Sequence, residues 1–206
     1  MEYPGYGLYI GEPSAERMLK DAEILFDYLV DKMGIEPQNI FLFGRSIGSG
    51  PATYIAARRT PGAMFLMSPY TSIKDVAKGI VGKLGELMIA ERFRNIDEIK
   101  KAQCPVFFIH GQKDKLVPFS HSVELLNNCP NVCDMILSAN MDHNDFVMED
   151  DVINPILKFL KKCEIKVNTG KTLYSFPDEL YEQPEGLKGK KNSRSLLVKI
   201  AENFFD

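Results

Sequence analysis

FLFGRSIGSG, residues 41–50, runs an apolar stretch into a burst of glycines with one serine, Ser46, between Gly44 and Gly48. Gly44-Arg45-Ser46-Ile47-Gly48 fits the pattern G-x-S-x-G. A strand that turns sharply into a helix strains the serine's backbone, and small residues two before and two after it let strand and helix approach closely. The hydroxyl is then presented at the carboxyl end of the strand, where open α/β sheets bind ligands. Pro51 falls near the first turn of the helix expected over 47–59, where backbone N–H groups have no intrahelical partner to lose. The five residues alone fit equally a tight helix entry with Ser46 as an ordinary cap. An acid and a base in the right order would decide for a nucleophile.

The stretches around this turn set the fold class. Over residues 14–33, Met18, Ala22, Leu25, Leu29 and Met33 recur at spacings of three and four with charges between them, which predicts an amphipathic helix closed by Gly34. Residues 39–43 form a short apolar run suited to a strand buried on both faces. Further runs stand at 63–67 (AMFLM), 105–110 (PVFFIH) and, more weakly, 132–137 (VCDMIL). Helical patterns occupy 47–59, pieces of 72–101, 118–128 and 149–163. Strands alternating with helices imply crossover connections and a mostly parallel sheet flanked by helices, so the class is α/β.

A chain of 206 residues with 45% hydrophobic and 26% charged residues has the make-up of one folded domain, placed here at residues 1–163. Residues 164–206 read as a polar tail, in which Leu196, Leu197, Ile200, Ala201 and Phe204 have the spacing of a short terminal helix. A net charge of -3 gives no general reason to bind nucleic acid. The apolar runs are strand-sized, far below the roughly 20 residues that span a bilayer. The opening MEYPGYGLYIGEP lacks a secretory pattern, so the expected setting is cytoplasmic, with peripheral membrane association left open. Cys104, Cys129, Cys133 and Cys163 read as packing thiols; no metal cluster and no phosphate loop stand out, so no cofactor is expected.

Three histidines are available as a base. His110 ends the third strand and reads as a turn or supporting residue. His121 reads as a surface residue of the following helix. His143, in the polar loop MDHNDF after the fourth strand, can reach the serine from the carboxyl end of the sheet. Asp114, four residues beyond the third strand in HGQKDKLVP, lies on the same edge and can accept the imidazole's second N–H. Ser46, Asp114 and His143 thus follow one another as serine, acid and histidine, each just after a predicted strand.

On these residues the chain resembles the α/β-hydrolases, within them the subgroup of the α/β-hydrolase domain-containing protein 17 acyl-protein thioesterases and serine aminopeptidase-like hydrolases. The matching stretches are EYPGYG (2–7), GIEPQNIFLFGRSIGSGP (34–51), MSPYTS (67–72), CPVFFIHGQKDKLVPFSHS (104–122) and DHNDF (142–146). The resemblance implies an α/β-hydrolase fold, Ser46 as nucleophile, Asp114 as acid, His143 as base and the backbone N–H of Ile47 as one oxyanion donor. It also implies hydrolysis of an ester or thioester, with an acyl ester or S-acylated protein as substrate. The sequence departs from the family at Asp142, where glycine usually precedes the histidine; a carboxylate there would raise the base's pKa or alter the turn. EYPGYG follows earlier strands and a His-Gly-Asn loop in the family, so the N-terminal strands and the second oxyanion donor are expected to be missing. Loss of one such donor costs about 100- to 1000-fold in rate. Two readings therefore stand: a serine hydrolase working through an acyl-enzyme, and a truncated, non-catalytic hydrolase-like protein acting as a binding module. Ile80, Val81, Leu84, Leu87, Met88, Ile89 and Phe93 supply either an acyl-binding wall or ordinary helix core.

Overall fold

Ser14 caps the first helix, its hydroxyl accepting the Arg17 amide, and α1 (Ala15–Asp31) ends before Gly34, which takes the left-handed φ of +66°. The computed structural model describes residues 1–6, 9, 11–86, 90–167 and 176–177, the side chains of 80–86 excepted. Four strands follow α1: β1 (Phe41–Arg45), β2 (Ala63–Met67), β3 (Val106–Gly111) and β4 (Cys133–Ser138). They pair in parallel in the order β1-β2-β3-β4. Between and after them lie α2 (Ser49–Ala56), α3 (Ile73–Glu86), α4 (Asn95–Glu98), α5 (Ser120–Asn128) and α6 (Asn154–Lys162). The α/β class and the mostly parallel sheet are as the sequence predicts.

Both faces of the central strands are buried, by alternate residues. Met64, Leu66, Val106 and Phe108 pack with Ala52, Ala56 and Leu125, from α2 and α5. Ala63, Phe65, Met67, Phe107 and Ile109 pack with Phe159 and Leu160 of α6, where the Phe107 and Phe159 rings stack at 4.9 Å. Each such buried side chain contributes about 1.5–3 kcal/mol, so α6 is firmly anchored, and with it the loop that leads into it from β4.

Three expectations are corrected. β1 starts two residues later than the apolar run, because Pro37–Asn39 forms a 3-10 turn. It is not buried on both faces: it stands at the sheet edge among the described residues, and Phe43 is 51% exposed. His121 is not a surface residue; it is half-buried, and its Nδ1 accepts the Thr71 amide at 3.3 Å and lies 2.9 Å from the Thr71 hydroxyl. Ile165 packs against the α6 side of the core, whereas the helical pattern at 196–204 lies outside the described residues.

The end of β3 holds a buried polar knot. His110 is fully buried; its Nε2–H donates to the Val117 carbonyl at 2.7 Å and its Nδ1 accepts the Ser122 hydroxyl at 2.7 Å. Next to it Gly111 meets the loop that follows β4 so closely that a Cβ would lie 2.1 Å from the Met141 carbonyl oxygen. Gly111→Ala is therefore expected to cost about 1–3 kcal/mol through overpacking, visible as a fall of about 2–4 °C per kcal/mol in the melting temperature. A melting temperature unchanged from the parent protein would contradict this contact.

Burial pushes the pKa of both His110 and His121 below the usual histidine value. The unfolded chain takes up protons near pH 6.5 that the folded chain resists, so it binds more protons in that range and stability is lost as the pH falls. The urea midpoint should decline from about pH 7.5 to about pH 5.5, above the range where carboxylates titrate. His121→Gln should flatten that decline, and an equally steep decline in the variant would refute the assignment.

Candidate active site

β1 ends at Arg45, and the next residue, Ser46, takes φ +50°, a left-handed conformation rare outside glycine. The crowding at Gly44 explains the turn: a Cβ there would lie 2.7 Å from the Gly48 carbonyl oxygen and 2.8 Å from Ala52 Cβ. Ser46–Gly48 forms one 3-10 turn before α2 begins, which shortens the helix expected over 47–59. Buried Asn95 fastens the start of α2, its amide donating to Ser49 Oγ at 3.0 Å and to the Tyr70 carbonyl at 2.9 Å. The Tyr70 hydroxyl in turn donates to the Ile47 carbonyl at 3.3 Å, and burial pushes its pKa upward, keeping it a donor.

The three residues proposed from the sequence meet at the carboxyl ends of the strands. Ser46 Oγ lies 3.1 Å from His143 Nε2, and His143 Nδ1 lies 2.8 Å from Asp114 Oδ2. With Nδ1–H donating to the carboxylate, Nε2 is left to accept the serine hydroxyl. Asp114 is held from its other side: Oδ1 accepts the amides of Leu116 at 3.0 Å and Val117 at 2.8 Å, and Oδ2 is 3.3 Å from His110 Nε2. The Asp114 side chain is fully buried and that of His143 is 11% exposed, so the ion-pairing end is dry and the serine end is reachable. Such an array can take the serine proton during attack on a carbonyl and hold the resulting imidazolium.

Asp142, the departure from the family pattern, makes a turn. Its Oδ1 accepts the amides of Asn144 and Asp145, both at 2.7 Å, and these bonds hold its carboxyl below the usual range. Arg45, legible in the sequence only as a variable position of the motif, donates from Nη2 to the His143 carbonyl at 2.7 Å and to Asn144 Oδ1 at 2.8 Å. No local pattern announces a contact between residues 98 apart.

Ile47, expected as an oxyanion donor, directly follows the serine, and the residue is 44% exposed. Of the residues proposed for an acyl-binding wall, Phe93 packs against Gly50, where a Cβ would lie 2.7 Å from its ring; the side chains of 80–86 and residues 87–89 lie outside what is described. An apolar groove of about 360 Å³ runs instead along β1, lined by Leu25, Phe26, Leu29, Phe43 and Pro51 among others, and neither Asp114 nor His143 borders it. Cys104 is buried with its thiol pKa pushed up to about 12, in keeping with a packing role. Among the described residues no group of three His, Cys, Asp or Glu is placed to hold a metal ion, and no helix is long and apolar enough to cross a membrane.

Comparison with known proteins extends this picture. No family model matches the chain. It is 32% identical over 161 residues to alpha/beta hydrolase domain-containing protein 17B of Homo sapiens, covering 78% of this chain and 55% of that protein. It is 31% identical over 159 residues to alpha/beta hydrolase domain-containing protein 17C of Xenopus tropicalis, covering 77% and 50%. The chain thus spans about half the length of the curated relatives it matches. Among solved structures it superimposes on an acetyl xylan esterase from Paenibacillus with a TM-score of 0.57 and 14% identity, covering 78% of this chain and 60% of that one. A puromycin hydrolase gives a TM-score of 0.59 at 14% identity, covering 83% and 31%. The shared parallel sheet and the sequence similarity agree: the chain has the α/β-hydrolase fold and is similar in sequence to the α/β-hydrolase domain-containing protein 17 group.

Proposed function

We propose that the protein is a serine hydrolase that cleaves a carboxylic ester or thioester through an acyl-enzyme. The observation that carries this reading is the hydrogen-bonded chain from Ser46 Oγ through His143 to the buried Asp114 carboxylate. Ser46 Oγ attacks the carbonyl carbon while its proton passes to His143 Nε2. The backbone N–H of Ile47 is one donor to the oxyanion that forms. Collapse breaks the bond to the leaving alcohol or thiol, which takes the proton from His143. A water molecule, deprotonated by His143, then attacks the acyl-Ser46 ester, and collapse releases the acid by breaking the bond to Ser46 Oγ, which takes the proton back from His143.

The similarity to the domain-containing protein 17 group supports the S-acyl group of a protein cysteine as the substrate, with depalmitoylation as the corresponding activity. A second reading, a non-catalytic binding module, draws on the exposed apolar edge at Phe43 and the groove beside it.

A fluorophosphonate probe separates the two. The folded protein should be labelled covalently, and Ser46→Ala should abolish labelling and lower hydrolysis of an acyl thioester by at least about 1000-fold. Folded protein that stays unlabelled would favour the binding module.

Asp114→Asn keeps an oxygen for the Leu116 and Val117 amides but cannot accept from His143 in the same way. It is expected to lower kcat by about 10,000-fold with little change in melting temperature. Retention of a tenth of the parent kcat would remove Asp114 from the mechanism.

A further inference from the structure

The residue before the serine carries an inference that rests on the hydrolase reading. His143 rides on a loop that leaves β4, the edge strand among the described residues, and must cross β3 and β2 to reach Ser46 at the end of β1. Internally that loop is closed: Asp142 Oδ1 holds the Asn144 and Asp145 amides, and the Asp142 amide donates to the Asp145 carbonyl at 3.0 Å. Its root is tied down where the Lys113 amide donates to the Met141 carbonyl at 3.1 Å. Asp114 holds the imidazole through Nδ1, but none of these ties joins the backbone of the loop's tip to the strand that carries the serine.

Arg45 supplies that tie. It is the last residue of β1, covalently next to Ser46, and one nitrogen, Nη2, donates to both the His143 carbonyl and Asn144 Oδ1. Its guanidinium lies 5.4 Å from the centre of the Phe146 ring, a third contact with the same loop. The planar, delocalised guanidinium serves two acceptors from one nitrogen while lying over the ring; a lysine ammonium can donate to an acceptor but reproduces only part of that arrangement. The Nε of Arg45 is buried with no hydrogen-bond partner among the described residues, a desolvated donor that no pairing offsets. The guanidinium is thus seated by its contacts to the base loop even though part of it is poorly served there.

We infer that Arg45 is a positioning residue that locks the His143 loop onto the nucleophile, setting the distance from Nε2 to Ser46 Oγ from the serine's own strand. It touches no reacting atom and acts through the backbone of the base.

The test compares the parent protein, Ser46→Ala, Arg45→Met, Arg45→Ala, Arg45→Lys and Asn144→Ala, by rate of fluorophosphonate labelling, steady-state thioester hydrolysis and melting temperature. A misplacement on the order of 1 Å costs about 100-fold, so Arg45→Met should lose about 10- to 100-fold in kcat and in labelling rate with KM within about threefold. Arg45→Lys should recover part of the loss, and millimolar guanidinium, but not equal potassium chloride, should restore several-fold activity to Arg45→Ala. A purely structural role would give no guanidinium rescue. If Arg45→Met does not fold, Asn144→Ala, which removes one acceptor only, should still lose several-fold in kcat. Parent-like labelling in Arg45→Met, or in Asn144→Ala where the former does not fold, overturns the inference and leaves the hydrolase reading intact. Absence of labelling in the parent protein overturns both.

Discussion

The close approach of β1 to α2 at Gly44 is the constraint from which the rest of the site follows. Three atoms of the turn and helix, the Gly48 carbonyl oxygen, Ala52 Cβ and Ser49 Cα, lie within 2.9 Å of where a side chain at position 44 would begin. With so little space the chain must reverse within one or two residues, and Ser46 is left in the left-handed region. A non-glycine residue held there costs on the order of 1–3 kcal/mol and persists only where the surroundings over-determine it. They do so here: α2 buries Ala52, Ile55 and Ala56, Asn95 fastens its first residue, and Tyr70 fastens the 3-10 turn before it.

The same backbone geometry recurs one strand away, and the comparison shows what distinguishes Ser46. The register pairs Arg45 with Met67, so Ser68, which follows β2, stands beside Ser46, and Ser68 has φ +47°. Ser68 is fully buried, however, and its hydroxyl has no partner among the described residues. Along the same row comes His110, the last residue but one of β3, also buried and spent on Val117 and Ser122. A left-handed serine at the carboxyl end of a strand is therefore not enough for chemistry. Ser46 differs in meeting an imidazole whose other nitrogen is already committed to a carboxylate.

Much of this was legible because its causes are local. Ser14 and Gly34 mark the ends of α1 by hydrogen bonding and backbone freedom, and the runs at 63–67 and 105–110 coincide with β2 and, within a residue, with β3. The meeting of Ser46, Asp114 and His143 was legible for a topological reason: each follows a strand, and a parallel sheet brings the carboxyl ends of its strands to one edge. What escaped was set by contacts distant in sequence. The apolar run suggested a strand over 39–43, but β1 runs on through Gly44 and Arg45 because the strained turn, not the loss of apolar residues, ends it. His121 has the helical spacing of a surface residue, yet the Thr71 amide, 50 residues earlier, requires an acceptor and receives its imidazole. The contact of Arg45 with the base loop has no local cause at all.

Asp142 shows how a family position can change its residue and keep its task. Glycine before the base is useful where the backbone needs a positive φ, but Asp142 is not among the described residues with one. The loop instead makes its bend with the Asp142 side chain, which accepts the two amides that follow the histidine, as aspartate does in turns. Those same bonds lower the carboxyl's pKa and engage the oxygen nearest the turn, so the charge is committed to the backbone. Of the two effects a carboxylate could have beside the histidine, the structure therefore displays the turn. That turn directs the His143 carbonyl toward the guanidinium of Arg45, so the departure from glycine and the arginine before the serine belong to one arrangement, in which the bend is made by the loop and its placement by the strand.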